Sequence, residues 1–127
     1  MTEQLDQPPA RILIVEDSAL VTDAFEVLFG EAGYDVDSAQ TVAEAVAVGK
    51  RKSIDVMLLD LTLPDGDGLE VLEALRGHDR LPRATLAMTG DSDPDTRRKC
   101  LEAGCADILV KPVPIRDLLR QIERLLA

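Results

Sequence analysis

The sequence predicts an α/β fold in which a parallel sheet of five strands lies between helices on both of its faces. Short runs of apolar residues alternate along the chain with longer segments whose apolar residues recur at helical spacing. Two of those runs, residues 12–15 and 54–59, are almost continuously apolar, which is typical of strands buried on both faces. Strands that alternate with helices pair in parallel through crossover connections, so the sequence indicates a doubly wound sheet.

The first half of the chain contains two of these strand–helix units. A strand at residues 11–15 precedes a helical pattern that ends near Gly33. The apolar residues expected to face the core from this helix are Leu20, Ala24, Val27 and Leu28. Residues 34–39 alternate between two faces and are expected to form an edge strand. Thr41 and Glu44 have the spacing of a capping box. The helix that it opens is expected to turn four residues inward: Val42, Ala45, Val46 and Gly49.

The second half of the chain supplies the other three units. Its strands are expected at residues 54–59, 84–88 and 106–110. A loop at residues 64–68 leads into a helix marked by Leu69, Leu72 and Leu75. Asp93 is a good N-cap before a proline, and the helix that it opens, 94–103, has few apolar residues. The final helix, 114–127, carries an apolar face of Ile115, Leu118, Leu119, Ile122 and Leu125.

Length and charge limit the class of protein. The 127 residues suit one domain, with residues 1–10 expected as a disordered tail and residues 11–127 as the folded unit. Neither a secretory signal nor a run of ~20 apolar residues is present, so we expect a cytoplasmic protein without membrane contact. The net charge is −10, and no basic cluster is large enough to bind nucleic-acid phosphates directly.

The cysteines and the histidine do not indicate a site of their own. Cys100 and Cys105 are too few and too close together for a disulfide framework, and no zinc-ligand spacing is present. We expect two reduced thiols. His78, the single histidine, lies in a polar stretch and is expected to be a solvated loop residue.

Polar residues follow four of the five expected strands. Ligands of open α/β sheets bind beyond the carboxyl ends of the strands. The first strand is followed by Glu16 and Asp17, the third by Asp60, the fourth by Thr89 and the fifth by Lys111. Three carboxylates, a hydroxyl and an amine are therefore expected at one edge of the sheet.

Each of these residues has an ordinary interpretation on its own. Asp17 could cap the first helix, Thr89 could be a strand-end hydroxyl, and Lys111 could be a solvated lysine or a structural ion-pair partner. Asp60 is harder to explain, because an isolated carboxylate at the end of a buried strand is costly. Clustered carboxylates repel unless a cation lies among them, and oxygen ligands of this kind suit Mg²⁺. A metal, an amine and a hydroxyl together favour a phosphoryl group at Asp60.

At these residues the sequence resembles the receiver domain of response regulators, the CheY-like module of two-component signalling. The resemblance covers residues 11–127 and rests on four motifs in order. They are the acidic pair Glu16-Asp17, the segment from Leu58 to Gly68 around Asp60, Thr89-Gly90, and Lys111-Pro112. It implies a flavodoxin/CheY-like sheet of strand order 2-1-3-4-5.

The resemblance also implies a role for each residue. Asp60 would accept a phosphoryl group from the phosphohistidine of a sensor histidine kinase or a phosphotransfer protein. Mg²⁺ would be bound by Asp17, Asp60 and the backbone carbonyl of Thr62, with Glu16 acting largely through water. Thr89 and Lys111 would hold the phosphoryl oxygens, and the Lys111-Pro112 bond would be cis. Chemistry would be limited to self-phosphorylation and slow autodephosphorylation, without turnover of a separate substrate.

One position departs from the family pattern, and it affects how the signal would pass from the site to a partner protein. The family often has an aromatic switch residue three positions before the lysine, where this chain has Ile108. We expect the signal to leave through a shift of the loop 90–93 and helix 94–103. A downstream protein would read the surface formed by that helix, strand 106–110 and helix 114–127.

Three other interpretations compete with this one. The chain could be the receiver portion of a larger hybrid kinase or multidomain regulator. A haloacid-dehalogenase-like phosphatase also uses a strand-end aspartate, but it needs a second Asp where this chain has Thr62. A flavodoxin-like flavin binder would need a phosphate-binding first loop, whereas Glu16-Asp17 would repel phosphate.

Overall fold

A computed structural model describes residues 8–91 and 93–127. Its strands are β1 (Arg11–Val15), β2 (Asp35–Ala39), β3 (Val56–Asp60), β4 (Ala84–Thr89) and β5 (Asp107–Val110). These five parallel strands form one sheet, in the order β2-β1-β3-β4-β5. The helices are α1 (Ala19–Glu31), α2 (Val42–Arg51), α3 (Leu69–Gly77), α4 (Pro94–Glu102) and α5 (Ile115–Leu126). The doubly wound sheet, its strand order and the edge position of residues 35–39 are confirmed.

Alternate side chains of the central strands divide the core into two layers. On one face, Leu13, Met57 and Leu59 pack with buried residues of α2, α3 and α4. On the other face, Ile14 and Leu58 pack with buried residues of α1 and α5. Every residue of β3 is buried, which explains why this strand is apolar without interruption up to Asp60. The sheet therefore holds the end of β3 rigidly between two packed layers.

Two of the predicted helix starts have the expected capping bonds. Thr41 Oγ1 accepts a hydrogen bond from the Glu44 amide at 3.0 Å, while the Glu44 carboxylate accepts from the Gln40 amide at 2.9 Å. Asp93 caps α4 through the amide of Asp95 at 3.1 Å, and a proline occupies the first turn. Both capping predictions are confirmed.

The prediction for the core-facing side of α1 is wrong. Leu20, Ala24, Val27 and Leu28 are all exposed, Leu20 by 84%. The residues that α1 buries are Thr22 and Phe29, with Phe25 packed at the edge of the same cluster. The two phenylalanine rings, 5.4 Å apart between centroids, lie together on the face of the helix that turns inward. An apolar stripe is left on the outside.

Three smaller predictions concern a loop, the tail and the cysteines, and the cysteines are reduced as expected. The expected loop 64–68 is part of a short antiparallel hairpin, in which residues 62–63 pair with residues 66–67. Residues 1–7 of the expected tail lie outside the described residues, and the carbonyl of Ala10 already bonds the sheet through the amide of Asp35. The thiols are free and buried, and burial raises the pKa of Cys105 to about 12.

Candidate functional site

Three carboxylates meet where β1 and β3 end. β1 and β3 are neighbours in the sheet, with Val15 opposite Leu59, so the residues that follow them lie side by side. Glu16, Asp17 and Asp60 each offer a carboxylate oxygen, and these oxygens lie within 4.8 Å of one another. Glu16 and Asp60 are buried, whereas Asp17 is exposed. The expected acidic cluster is present.

Asp60 is held from two sides. Its Oδ1 accepts a hydrogen bond from the backbone amide of Thr62 at 3.1 Å, and its Oδ2 accepts one from Lys111 Nζ at 2.8 Å. These bonds orient the carboxylate toward the cluster and compensate part of the cost of burying it.

Lys111 connects two of the carboxylates. Its Nζ donates to Glu16 Oε1 at 3.0 Å as well as to Asp60. Partial burial would lower the pKa of Lys111, but the hydrogen bonds to Asp60 and Glu16 outweigh it and hold the pKa above its ordinary value. The Lys111-Pro112 bond is cis, as the family resemblance implies, and the Lys111 amide bonds the Thr89 carbonyl at 2.7 Å.

Glu16 has an environment unlike that of Asp17. Burial raises the pKa of Glu16, although hydrogen bonds from the amide of Ser18 and from Lys111 work against that rise. Ser18, not Asp17, caps α1, because Ser18 Oγ accepts a hydrogen bond from the Val21 amide at 3.4 Å. The capping interpretation of Asp17 is therefore not needed, and its exposed carboxylate is free to bind a ligand from solvent.

Thr89 and Thr62 flank the cluster. Thr89 is buried at the end of β4, and its hydroxyl oxygen accepts a hydrogen bond from the Asp91 amide at 3.1 Å. Thr62 is exposed in the hairpin directly after Asp60. Ile108 is only 8% exposed and belongs to the core cluster that includes Cys100 and Cys105.

Sequence reasoning missed three contributions to this site. They are the Ser18 amide on Glu16, the Thr62 amide on Asp60, and Gly68, where a Cβ would overlap the backbone oxygen of Asp60. Every residue except proline has a backbone amide, so the sequence does not show which amides bind the side chains of a site. Gly68 was the available signal, because a glycine shortly after a buried strand can mark a place where two backbone segments approach closely.

The donor set suits a hard divalent cation. Carboxylate oxygens from Glu16, Asp17 and Asp60 can approach one ion, and the exposure of Asp17 leaves room for water ligands. Of the charged contacts in the described part of the chain, Lys111 alone offsets the buried pair Glu16 and Asp60. One lysine against three carboxylates leaves a negative site, and Mg²⁺ fits it.

Comparison with known proteins identifies the family. The family model of the response regulator receiver domain matches residues 12–123, and the chain belongs to this family. It is 34% identical to the TorCAD operon transcriptional regulatory protein TorR of Escherichia coli over 93% of this chain and 50% of that protein. It is 33% identical to the transcriptional regulatory protein TrcR of Mycobacterium tuberculosis over 95% of this chain and 47% of that protein. The chain thus spans about half the length of these relatives.

Solved structures agree with this assignment. A CheY-like receiver domain protein of Methanospirillum hungatei JF-1 has a TM-score of 0.83 and 32% identity, covering 92% of this chain and 94% of that one. The chemotaxis protein CheY4 of Vibrio cholerae has a TM-score of 0.86 and 27% identity, covering 92% and 98%. The chain is accordingly a phosphorylatable receiver module of two-component signalling, a family of signalling modules that bind Mg²⁺ at the acidic pocket.

Among the described helices, none combines the length and the apolar composition that crossing a membrane requires.

Proposed function

We propose that this receiver takes a phosphoryl group onto Asp60 from a phosphohistidine of a histidine kinase or phosphotransfer protein. The observation that carries the proposal is the contact of Lys111 Nζ with Asp60 Oδ2 at 2.8 Å, inside a group of three carboxylates. An Asp60 oxygen attacks the phosphorus of a phosphohistidine that is protonated on its other ring nitrogen. The P–N bond breaks with its electron pair going to nitrogen, and neutral imidazole leaves with the proton it already carries. Bound Mg²⁺ supplies charge neutralisation for the phosphoryl oxygens.

The chain's own residues have separate roles in this proposal. Asp17, Asp60 and the Thr62 carbonyl bind the metal, while buried Glu16 acts through water and holds Lys111 at 3.0 Å. Lys111 transfers its hydrogen bond from Asp60 to a phosphoryl oxygen, and the Thr89 hydroxyl binds another. The product is a signalling state that hydrolyses slowly, and a small substrate is not turned over.

Incubation with phosphoramidate and Mg²⁺ tests the assignment of Asp60. We expect one adduct of ~80 Da by intact mass, lost in Asp60→Asn. Asp55→Asn is the matched control, because Asp55 is a half-buried carboxylate beside the opposite end of the same strand. An adduct of unchanged yield in Asp60→Asn would refute the assignment.

A groove beside the exposed Leu20 of α1 supports a docking place for the phosphodonor. A groove of about 610 Å³ between α1 and the segment after β5 has Glu16 and Lys111 in its wall. Its other lining residues are Leu20, Val21, Ala24, Phe25, Met88, Pro112 and Val113. α1 carries three acidic residues and no basic one. A donor helix with an apolar face and flanking basic residues would fit this groove and bring its phosphohistidine to Asp60.

Leu20→Glu separates this docking from the chemistry. We expect phosphotransfer from a phosphorylated histidine phosphotransfer protein to fall by about tenfold, as for loss of an interface anchor, with transfer from phosphoramidate unchanged. Leu101→Glu, which alters an exposed leucine on α4, is the control for a general effect of surface charge. Equal loss with both donors, or equal loss in both variants, would contradict docking at α1.

Downstream, a protein partner would bind the surface of α4, β5 and α5, and the receiver itself would make no direct contact with nucleic acid. The support is an exposed Val110 and a cleft of about 270 Å³ lined by residues of β5 and α5.

A further inference from the structure

The N-terminus of α2 is bound by a side chain from the hairpin that follows Asp60. Asp65 lies at the tip of this hairpin, and its Oδ1 accepts from the Val42 amide at 2.8 Å. Its Oδ2 accepts from the Ala43 amide at 3.1 Å. The carboxylate thus joins segments more than twenty residues apart in sequence, although Asp65 itself is exposed.

α2 already has a local cap, so Asp65 does more than begin a helix. Thr41 Oγ1 accepts a hydrogen bond from the Glu44 amide, and the Glu44 carboxylate accepts one from the Gln40 amide. Asp65 takes the first-turn amides that this box leaves over. The hydrogen bonds from Val42 and Ala43 hold the pKa of Asp65 below its usual range, so the carboxylate is charged at neutral pH and favourably placed at the helix dipole.

The other end of the hairpin is fixed against α3. The Asp67 amide donates to Glu70 Oε2 at 2.9 Å, and Asp67 Oδ1 accepts from the Leu69 amide at 2.9 Å. Thr62 pairs with Asp67 across the hairpin, and its amide donates to Asp60 Oδ1 at 3.1 Å. A continuous line of contacts therefore runs from α2, through Asp65 and the hairpin, to the carboxylate of Asp60.

We propose that Asp65 is a positioning residue for the metal and phosphoryl site. By tying the hairpin tip to α2, it fixes the Thr62 backbone, whose amide orients Asp60 and whose carbonyl is the proposed third protein ligand of the metal. This inference rests on the proposed function of Asp60 and Thr62. Residues that orient ligands from behind set metal affinity without touching the metal.

The test compares Asp65→Ala with Thr41→Ala, which removes a cap from the same helix end but has no bond to the hairpin. Both variants should lower the urea midpoint of unfolding to a similar extent. Asp65→Ala should weaken Mg²⁺ binding roughly tenfold by titration, at the lower end of the effect of removing an orienting partner. Thr41→Ala should bind Mg²⁺ like the parent. Asp65→Asn, which keeps one acceptor oxygen, should lie between them.

Amide exchange supplies a second readout that does not depend on activity. Faster exchange of the Thr62 amide is expected in Asp65→Ala and not in Thr41→Ala. Parent-like Mg²⁺ affinity in Asp65→Ala, or an equal loss in both variants, would reduce Asp65 to an ordinary helix cap and overturn the inference. Failure of the parent protein itself to become phosphorylated would instead remove the proposed function.

Discussion

Lys111 Nζ lies 2.8 Å from Asp60 Oδ2, and this ion pair joins the ends of β3 and β5 across the intervening strand β4. The side chain of Asp60 is only 7% exposed, so the few protein groups around it compensate for the hydration that its carboxylate loses. The same ammonium holds Glu16 at 3.0 Å. Because Lys111 Nζ contacts both carboxylates, it lies where an oxygen of a phosphoryl group on Asp60 would need a positive charge.

Lys111→Ala should separate signalling from metal binding. The variant leaves Glu16 and Asp60 buried without their cation, so unfolding without Mg²⁺ should become easier by about 1–2 kcal/mol. Mg²⁺ affinity should be kept or increased, because the metal is then the only counter-charge offered to the cluster. The conformational response to beryllofluoride, followed by amide exchange, should be lost. A response equal to that of the parent would count against a phosphoryl-binding role for the lysine.

Asp17→Ala should abolish most Mg²⁺ binding. Asp17 is the exposed member of the three-carboxylate group, so removing it costs a ligand and little packing. We expect a loss of at least tenfold in affinity by titration, with unfolding stability nearly unchanged. Asp23→Ala, which deletes an exposed carboxylate of α1 outside the group, controls for net charge. Parent-like binding by Asp17→Ala would exclude Asp17 as a ligand.

The position of the site could be predicted from the sequence because parallel strands bring their carboxyl ends together. The apolar runs before Glu16, Asp60, Thr89 and Lys111 were enough to place these residues at one edge. The pairing of Lys111 with both Glu16 and Asp60 could not be predicted, since it depends on rotamers and on contacts 95 and 51 residues apart. The positions of the strand ends in a sequence therefore predict which residues form a site, but not the hydrogen bonds among them.

The inward face of α1 could not be predicted for a different reason. Helical spacing fits both the stripe Leu20, Val27 and Leu28 and the pair Phe25 and Phe29. The choice between two apolar faces depends on the volume available beside β1 and α5, which is a property of the assembled core. The outer stripe was taken for core, and the exposure of one of its members, Leu20, in the groove that also contains Lys111 is what supports a docking role.

Asp37 should make the free energy of unfolding depend on pH in the acid range. Burial alone would raise the pKa of Asp37, but hydrogen bonds from Lys52 and Arg11 outweigh it and hold the pKa below its usual value of 3.8. The stabilisation is therefore complete above pH 3.8 and is lost as the pH falls through the lower folded-state pKa.

Urea unfolding of Asp37→Asn tests this. The variant should lose about 1–2 kcal/mol of unfolding free energy at neutral pH, and the difference from the parent should shrink only below pH 3.8. Asp35→Asn, whose carboxylate lies 3.8 Å from the Arg11 guanidinium and is half exposed, is the control and should cost less than about 1 kcal/mol. A parent–variant difference that stays constant down to the lowest pH would contradict the assignment.

Phosphorylation should be read out through the loop and helix that follow Thr89. The Thr89 hydroxyl accepts a hydrogen bond from the Asp91 amide at 3.1 Å, so drawing that hydroxyl toward a phosphoryl oxygen disturbs the loop into α4. α4 has Cys100 as its buried residue and exposes Leu101, which places it at the low end of local stability. Ile108, at the position where the family often has an aromatic switch residue, lies inside the core and has no ring that could rotate.

We expect the largest change in amide exchange on adding beryllofluoride, outside the acidic pocket, within residues 90–104. Asp60→Asn should show no such change. A response confined to α1 or α3, with residues 90–104 unaffected, would mean that the signal leaves by another route.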